Sequence, residues 1–152
     1  MQKKISFFEK IGSLIPGYKG YAERDSRRDC DKIMRNLISN KFQFFEKQLN
    51  EFALQSFKNK EKEKMRFIES VRKELNTLKS KIEFAPYGAS SFFSDNQIKE
   101  DELFEIYQFD HDLLDLSEKI ISSDINQINE ISQLIQQCSI TLLKRNEYIA
   151  KF

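Results

Sequence analysis

The chain has 152 residues, of which 32% are charged and 39% hydrophobic, with a formal net charge of +1. That length is enough to bury a core as one domain, residues 1–152, and the composition excludes a disordered chain. No apolar run approaches the length needed to span a bilayer, and the start, MQKKISFFEK, lacks the apolar stretch and small-residue site of a signal peptide.

In chain order, residues 4–14 are predicted as a short amphipathic helix. It ends in LIPGYKGY, where Pro16-Gly17 suits the centre of a type II turn with positive φ at the glycine. Apart from Gly12, every glycine and proline falls here or at Pro86 and Gly88. Such long stretches without either residue argue for helix.

The first long helix is predicted over 23–57. On a helical wheel Arg24, Arg27, Arg28 and Arg35 share one side with Asp31, while Ala22, Ser26, Cys30, Ile33 and Leu37 share the other and are expected to face the core. The arginines are therefore expected to form an exposed or edge-facing cluster. With Tyr18 and Tyr21 nearby they form a candidate site for a phosphate, a carboxylate or a protein partner, since guanidinium binds such groups bidentately. Local pairs, Glu23 with Arg27 and Asp31 with Arg35, are the structural alternative. The acids interleaved in this segment count against a nucleic-acid patch.

FKNKEKEK, 57–64, is polar, and Asn59 is its candidate left-handed turn residue. A second helix follows over 61–83. Its seam, Met65, Ile68, Val71, Leu75, Leu78 and Ile82, steps by three and four, as Ile38, Phe42, Phe45, Leu49 and Phe52 do in the first. Residues 84–97 then crowd aromatic side chains around Pro86-Tyr87-Gly88. Phe92 and Phe93 are candidate partner-binding residues there, or else plug the end of a bundle.

The third helix is predicted over 98–121, capped by Asp95 or Asn96, with Ile106, Phe109, Leu113, Leu116 and Ile120 as its seam. Asp110, His111, Asp112 and Asp115 suggest a metal. With one histidine in the chain and Gln108 three residues before it, the paired Glu-x-x-His units of a di-iron bundle are missing. The expectation is no metal and no cofactor. SSDINQ, 122–127, separates the fourth helix, 125–150, with Ser123 or Asp124 as its cap. Its seam is Ile128, Ile131, Ile135, Cys138 and Leu142.

These elements predict an all-α, up-down four-helix bundle preceded by a short helix. The alternative is one long antiparallel helical hairpin. The apolar stripes are too wide for a single partner helix to bury, which favours the bundle. Charge is segregated: residues 1–83 hold 20 Lys/Arg and 12 Asp/Glu, residues 84–152 hold 5 and 12. The two halves are expected to pack on each other and offset this difference.

IPGYKGYAERDSRRDCDK, together with APYGASSFFSDNQIKEDELFEIYQFDHDLL, resembles a family of small uncharacterised prokaryotic proteins. In that family an IPGY-x-GY…RR…DK start is paired with a later YG…FF…Y-x-FD segment. The resemblance covers about 50 of the 152 residues, the length of the two quoted stretches. It implies that the two segments form one shared unit and implies no activity.

No Gly-rich phosphate loop, zinc spacing or Ser-His-Asp set is present in the sequence. The expected function is a non-enzymatic, cytoplasmic interaction or adaptor protein with a protein partner. Two widely spaced cysteines fit a reducing compartment, and seams this regular could continue into a homo-oligomer. Two alternatives stand beside it. One is a peripheral protein binding anionic lipid or phosphate, through ISFFEKIGSLI and the arginines. The other is a metal-dependent enzyme using Asp110, His111 and Asp115.

Overall fold

The computed structural model describes residues 9–84, 91–93 and 97–152. Four long helices dominate: α1 (Arg24–Lys58), α2 (Lys62–Glu83), α3 (Glu100–Ser122) and α4 (Ile128–Ala150). Their bounds lie within three residues of those read from periodicity. A helical stretch over 9–14 precedes them, and a 3₁₀ turn, Ser91–Phe93, lies between α2 and α3. The described residues contain no strand. The molecule is the all-α bundle; the long-hairpin alternative fails because both interruptions form real turns.

Each helix buries a stripe spaced by three and four. Ile38, Phe42, Phe45 and Leu49 of α1 meet Ile68, Val71, Leu75 and Leu78 of α2, all essentially inaccessible. Burying one such side chain contributes about 1.5–3 kcal/mol, so these stripes, more than helix propensity, hold the helices in place. Ile106, Leu113, Leu114 and Ile120 of α3 and Ile131, Ile135, Cys138 and Leu142 of α4 complete the core.

Chain direction alternates from helix to helix, but neighbours around the bundle are not all antiparallel. α1 packs beside α2 and α3, and α4 beside the same two; α1 and α4 are diagonal. Tyr21 meets Tyr107, and Lys41 pairs with Glu118, so α1 and α3 run parallel. Ser132 donates to Glu74, which sets α4 parallel to α2. α2 therefore ends and α3 starts at the same end of the bundle, diagonally opposite each other. Phe92 is buried there, its turn touching both α1 and α4.

The same contacts fix the heights of the two hairpins. Level with Ser132 stands Glu74, so the start of α4 stands level with Ser70. Residues 62–69 of α2, and the α1 residues beside them, extend past the start of α4. At 1.5 Å per residue that is roughly 12 Å. The projecting turn is closed by two hydrogen bonds, Glu61 N–H to the Ser56 carbonyl (2.9 Å) and Lys60 N–H to the Phe57 carbonyl (3.0 Å). This is a Schellman ending, and its left-handed residue is Lys60 (φ 60°), not Asn59. Gly17, with φ 82°, supplies the positive φ expected at the earlier turn, where Tyr18 N–H reaches the Ile15 carbonyl.

The other termini differ in detail from the sequence reading. Asp95 and Asn96 lie outside the described residues. At α3, Glu102 accepts from Lys99 N–H (2.7 Å), and Glu100, Asp101 and Glu102 complement the dipole of the first turn. Asp124 does not cap α4. It accepts from Asn126 N–H (3.0 Å) within the loop, and the residue flanking the helix is Gln127.

Candidate functional site

Three helices bring charged side chains to one level of the interior. α4 presents Arg145 and α3 presents Asp110, both 0% exposed; α1 presents Asp31, at 1%. Arg145 Nε donates to Asp110 Oδ1 at 2.6 Å, and its Nη2 donates to Asp31 Oδ1 at 2.8 Å. One guanidinium thus joins two carboxylates on different helices. Such charge-assisted bridging, with the remaining lone pairs hydrogen-bonded, is what makes a buried ion pair tolerable.

The segment before α1 completes the cluster. Tyr21 donates its hydroxyl to Asp110 Oδ2 (2.5 Å) and accepts from Arg145 Nη2 (3.1 Å). Tyr18 donates to the same Oδ2 at 3.1 Å. Tyr21 N–H donates to the Tyr107 hydroxyl (2.9 Å), and the two rings stack with centroids 5.6 Å apart. At the edge, Arg35 Nε donates to Asp31 Oδ2 (2.7 Å) and its Nη1 to the Glu83 carbonyl (2.8 Å). Both oxygens of each buried carboxylate are therefore engaged.

Burial shifts these groups. It pushes the Tyr21 hydroxyl well above its ordinary value, with the Asp110 charge adding to the effect. Tyr18 rises for the same first cause. Burial also pushes the Asp110 carboxyl up, and the Arg145 guanidinium and the donated hydrogen bonds oppose it. Two positive and two negative side chains offset one another, and two neutral hydroxyls fill the remaining valences. The arrangement clamps helices together, with its donors and acceptors turned on each other.

The predicted arginine face is divided. Arg24 and Arg28 are exposed, as expected. Arg27 is buried: its Nε donates to the Tyr21 carbonyl (2.8 Å) and its Nη1 to the Phe92 carbonyl (3.1 Å). Arg35 is half-buried. The inward stripe of α1 is Arg27, Cys30, Asp31, Met34 and Ile38, whereas Ala22 is exposed and Ile33 and Leu37 only half-buried. The wheel reading erred because it kept charges in water. The interior supplies counter-charges and carbonyls that a single helix cannot show.

Tyr18, Tyr21 and Phe92 are buried, so none presents a surface to a partner. Phe92 packs on Tyr21 (5.4 Å between centroids) and Phe152 (6.1 Å), which makes it the plug of the bundle end. Phe93 is half-buried, with the Arg28 guanidinium 5.1 Å above its ring. The acidic cluster around His111 diverges. Asp110 turns inward, Asp115 outward to Lys119 (3.0 Å), and His111 Nδ1 stands 3.6 Å from Asp112. No group of three potential metal ligands converges among the described residues.

The lipid-facing segment expected at 5–15 is only partly within the described residues. Ile11 and Ile15 are buried in the bundle, where they serve the core. No helix among the described residues is long and apolar enough to cross a membrane. No protein-family profile, no curated protein and no solved structure matches this chain.

Proposed function

We propose that this chain is a non-enzymatic interaction protein, a helical bundle that holds its partners at the surface. One observation carries the reading. Asp31, Asp110 and Arg145 of the first, third and fourth helices, with Tyr18 and Tyr21 of the segment before them, are buried and bonded to one another. Chemistry toward a ligand then falls to exposed groups. Arg24 and Arg28 are two of these, and the lysines of the projecting hairpin are others.

The test separates surface from interior. Cross-linked complexes would be captured from cells carrying the normal chain, Arg24→Ala with Arg28→Ala, or Lys58→Glu with Lys60→Glu and Lys62→Glu. One of these variants is expected to lose a reproducible bound component several-fold, with folding stability within about 0.5 kcal/mol of normal. Arg145→Ala, by contrast, should destabilise by about 3–5 kcal/mol, because it strands two buried carboxylates. A captured set unchanged by both surface variants would contradict the reading. So would turnover of a small molecule lost on changing one side chain.

A further inference from the structure

The projecting end of the α1–α2 hairpin has a composition unlike the rest of the surface. Its turn carries Lys58, Lys60, Lys62 and Lys64, all exposed, and Arg66 just below. Glu61 and Glu63 are the acids between them, which leaves a positive surplus. Lys64 pairs with Glu61 (3.5 Å) and lies 4.9 Å from the Phe52 ring centroid. Among these cations stand two of the most exposed apolar side chains of the molecule, Phe57 (59%) and Leu54 (54%). Both lie within the last turn or so of α1.

We infer that this tip docks on an anionic lipid surface, seating Phe57 and Leu54 at the headgroup boundary with the lysines around them. The inference rests on the interaction reading above and names its partner class. Three features favour it. The first is shape: the tip is the end of a helical hairpin, with Leu54 and Phe57, three residues apart, on one face of α1. The second is depth. Leu54 lies one helical turn, roughly 6 Å, below Lys58, and interfacial residues seat about 5–10 Å deep.

The third is charge. Residues 100–150 hold 11 Asp/Glu against 3 Lys/Arg, and α4 begins roughly 12 Å short of the start of α2, beyond the Debye length of about 8 Å at physiological salt. A flat anionic surface touching the tip meets the lysines while the acids stay screened. A second copy of this chain in tip-to-tip contact would set lysine against lysine. Backbone geometry agrees with the choice of residue: Lys60 takes the left-handed position that glycine occupies more easily.

Phe67 is the internal control. It is also exposed (39%), but it stands near the base of the projection, level with Asn50 and beside the step above α4. A surface touching the apex does not reach it, whereas a protein seated on the step would.

The experiment is flotation of the purified full chain with phosphatidylcholine vesicles, with and without phosphatidylserine, at low and physiological salt. Co-flotation is expected with the anionic vesicles alone, weakening as salt rises. Each of Lys58→Gln, Lys60→Gln and Lys62→Gln should weaken it roughly five-fold. Phe57→Ala should weaken it about ten-fold, and Phe67→Ala should leave it unchanged. Absence of co-flotation at low salt would overturn the inference. Equal binding to neutral vesicles would do so too, as would a Phe67→Ala loss equal to that of Phe57→Ala, or displacement from vesicles by RNA. If flotation fails while the lysine variants still lose a captured component in cells, the tip binds a protein and the interaction reading survives. If flotation fails and the captured set is unchanged by both the lysine and the arginine variants, both readings fall.

Discussion

Asp110 receives three hydrogen bonds, from Arg145, Tyr21 and Tyr18, in a site without water access. The two tyrosines serve it only while they keep their protons. Burial raises both hydroxyls, and it pushes the Cys138 thiol, packed in α4, up to about 12. Groups raised in the folded state stabilise it fully below their unfolded values, about 8.5 for cysteine and 10 for tyrosine, and lose that contribution as pH rises toward the folded ones. Urea unfolding should therefore show a level midpoint up to about pH 8.5, a decline above it, and a steeper decline beyond about pH 10. Tyr18→Phe with Tyr21→Phe should flatten the steeper part. A midpoint that held or rose through that range would contradict this. These residues were half-legible in the sequence. Arg145 continues the spacing of Ile131, Ile135, Cys138 and Leu142, and Asp110 sits four residues after Ile106 and three before Leu113. A charge at a seam position is the signal. Its partners were hidden, because Asp31, Asp110 and Arg145 lie far apart in sequence and only the packing of three helices brings them together.

At the scale of elements, periodicity and the placement of glycine and proline located all four helices, because both report directly on which face is buried. They did not report which helix lies beside which. Seam residues are apolar whichever neighbour they meet, so the parallel pairing of α1 with α3, and the diagonal placement of α2 against α3, were not legible. Nor was the projection of the α1–α2 hairpin, since it depends on the offset between Lys41 and Glu118 and between Glu74 and Ser132. The turn that closes the hairpin carries its own consequence. A lysine in the left-handed region costs about 1 kcal/mol relative to glycine. Lys60→Gly should thus raise the stability by about that much, less the entropy glycine adds to the unfolded chain. A loss of stability on thermal unfolding would show that Lys60 makes a contact worth more than the strain. Gly17, one turn where the residue type matched the conformation, was read correctly for the same physical reason.

Over the whole molecule, a basic hairpin and an acidic one lie side by side. The exposed charges do little of the joining. Arg72, Lys79 and Arg35 pair within the first hairpin, with Glu46, Glu69 and Asp31. Between the hairpins run Lys41 with Glu118 and the buried contacts of Arg145. The charge difference is thus left largely on the surface, while Arg145 and the apolar stripes join the halves. The account stands on that union: one cooperative body below, a two-helix projection above. Native-state hydrogen exchange resolved by peptide measures it directly, because segments that open together share one opening free energy. The expected result is a common, highest protection for residues 30–45 of α1, 71–83 of α2, 106–120 of α3 and 131–146 of α4, with faster exchange in 54–66. Exchange of α3 and α4 well before the lower halves of α1 and α2 would mean that the hairpins open independently, and would contradict it.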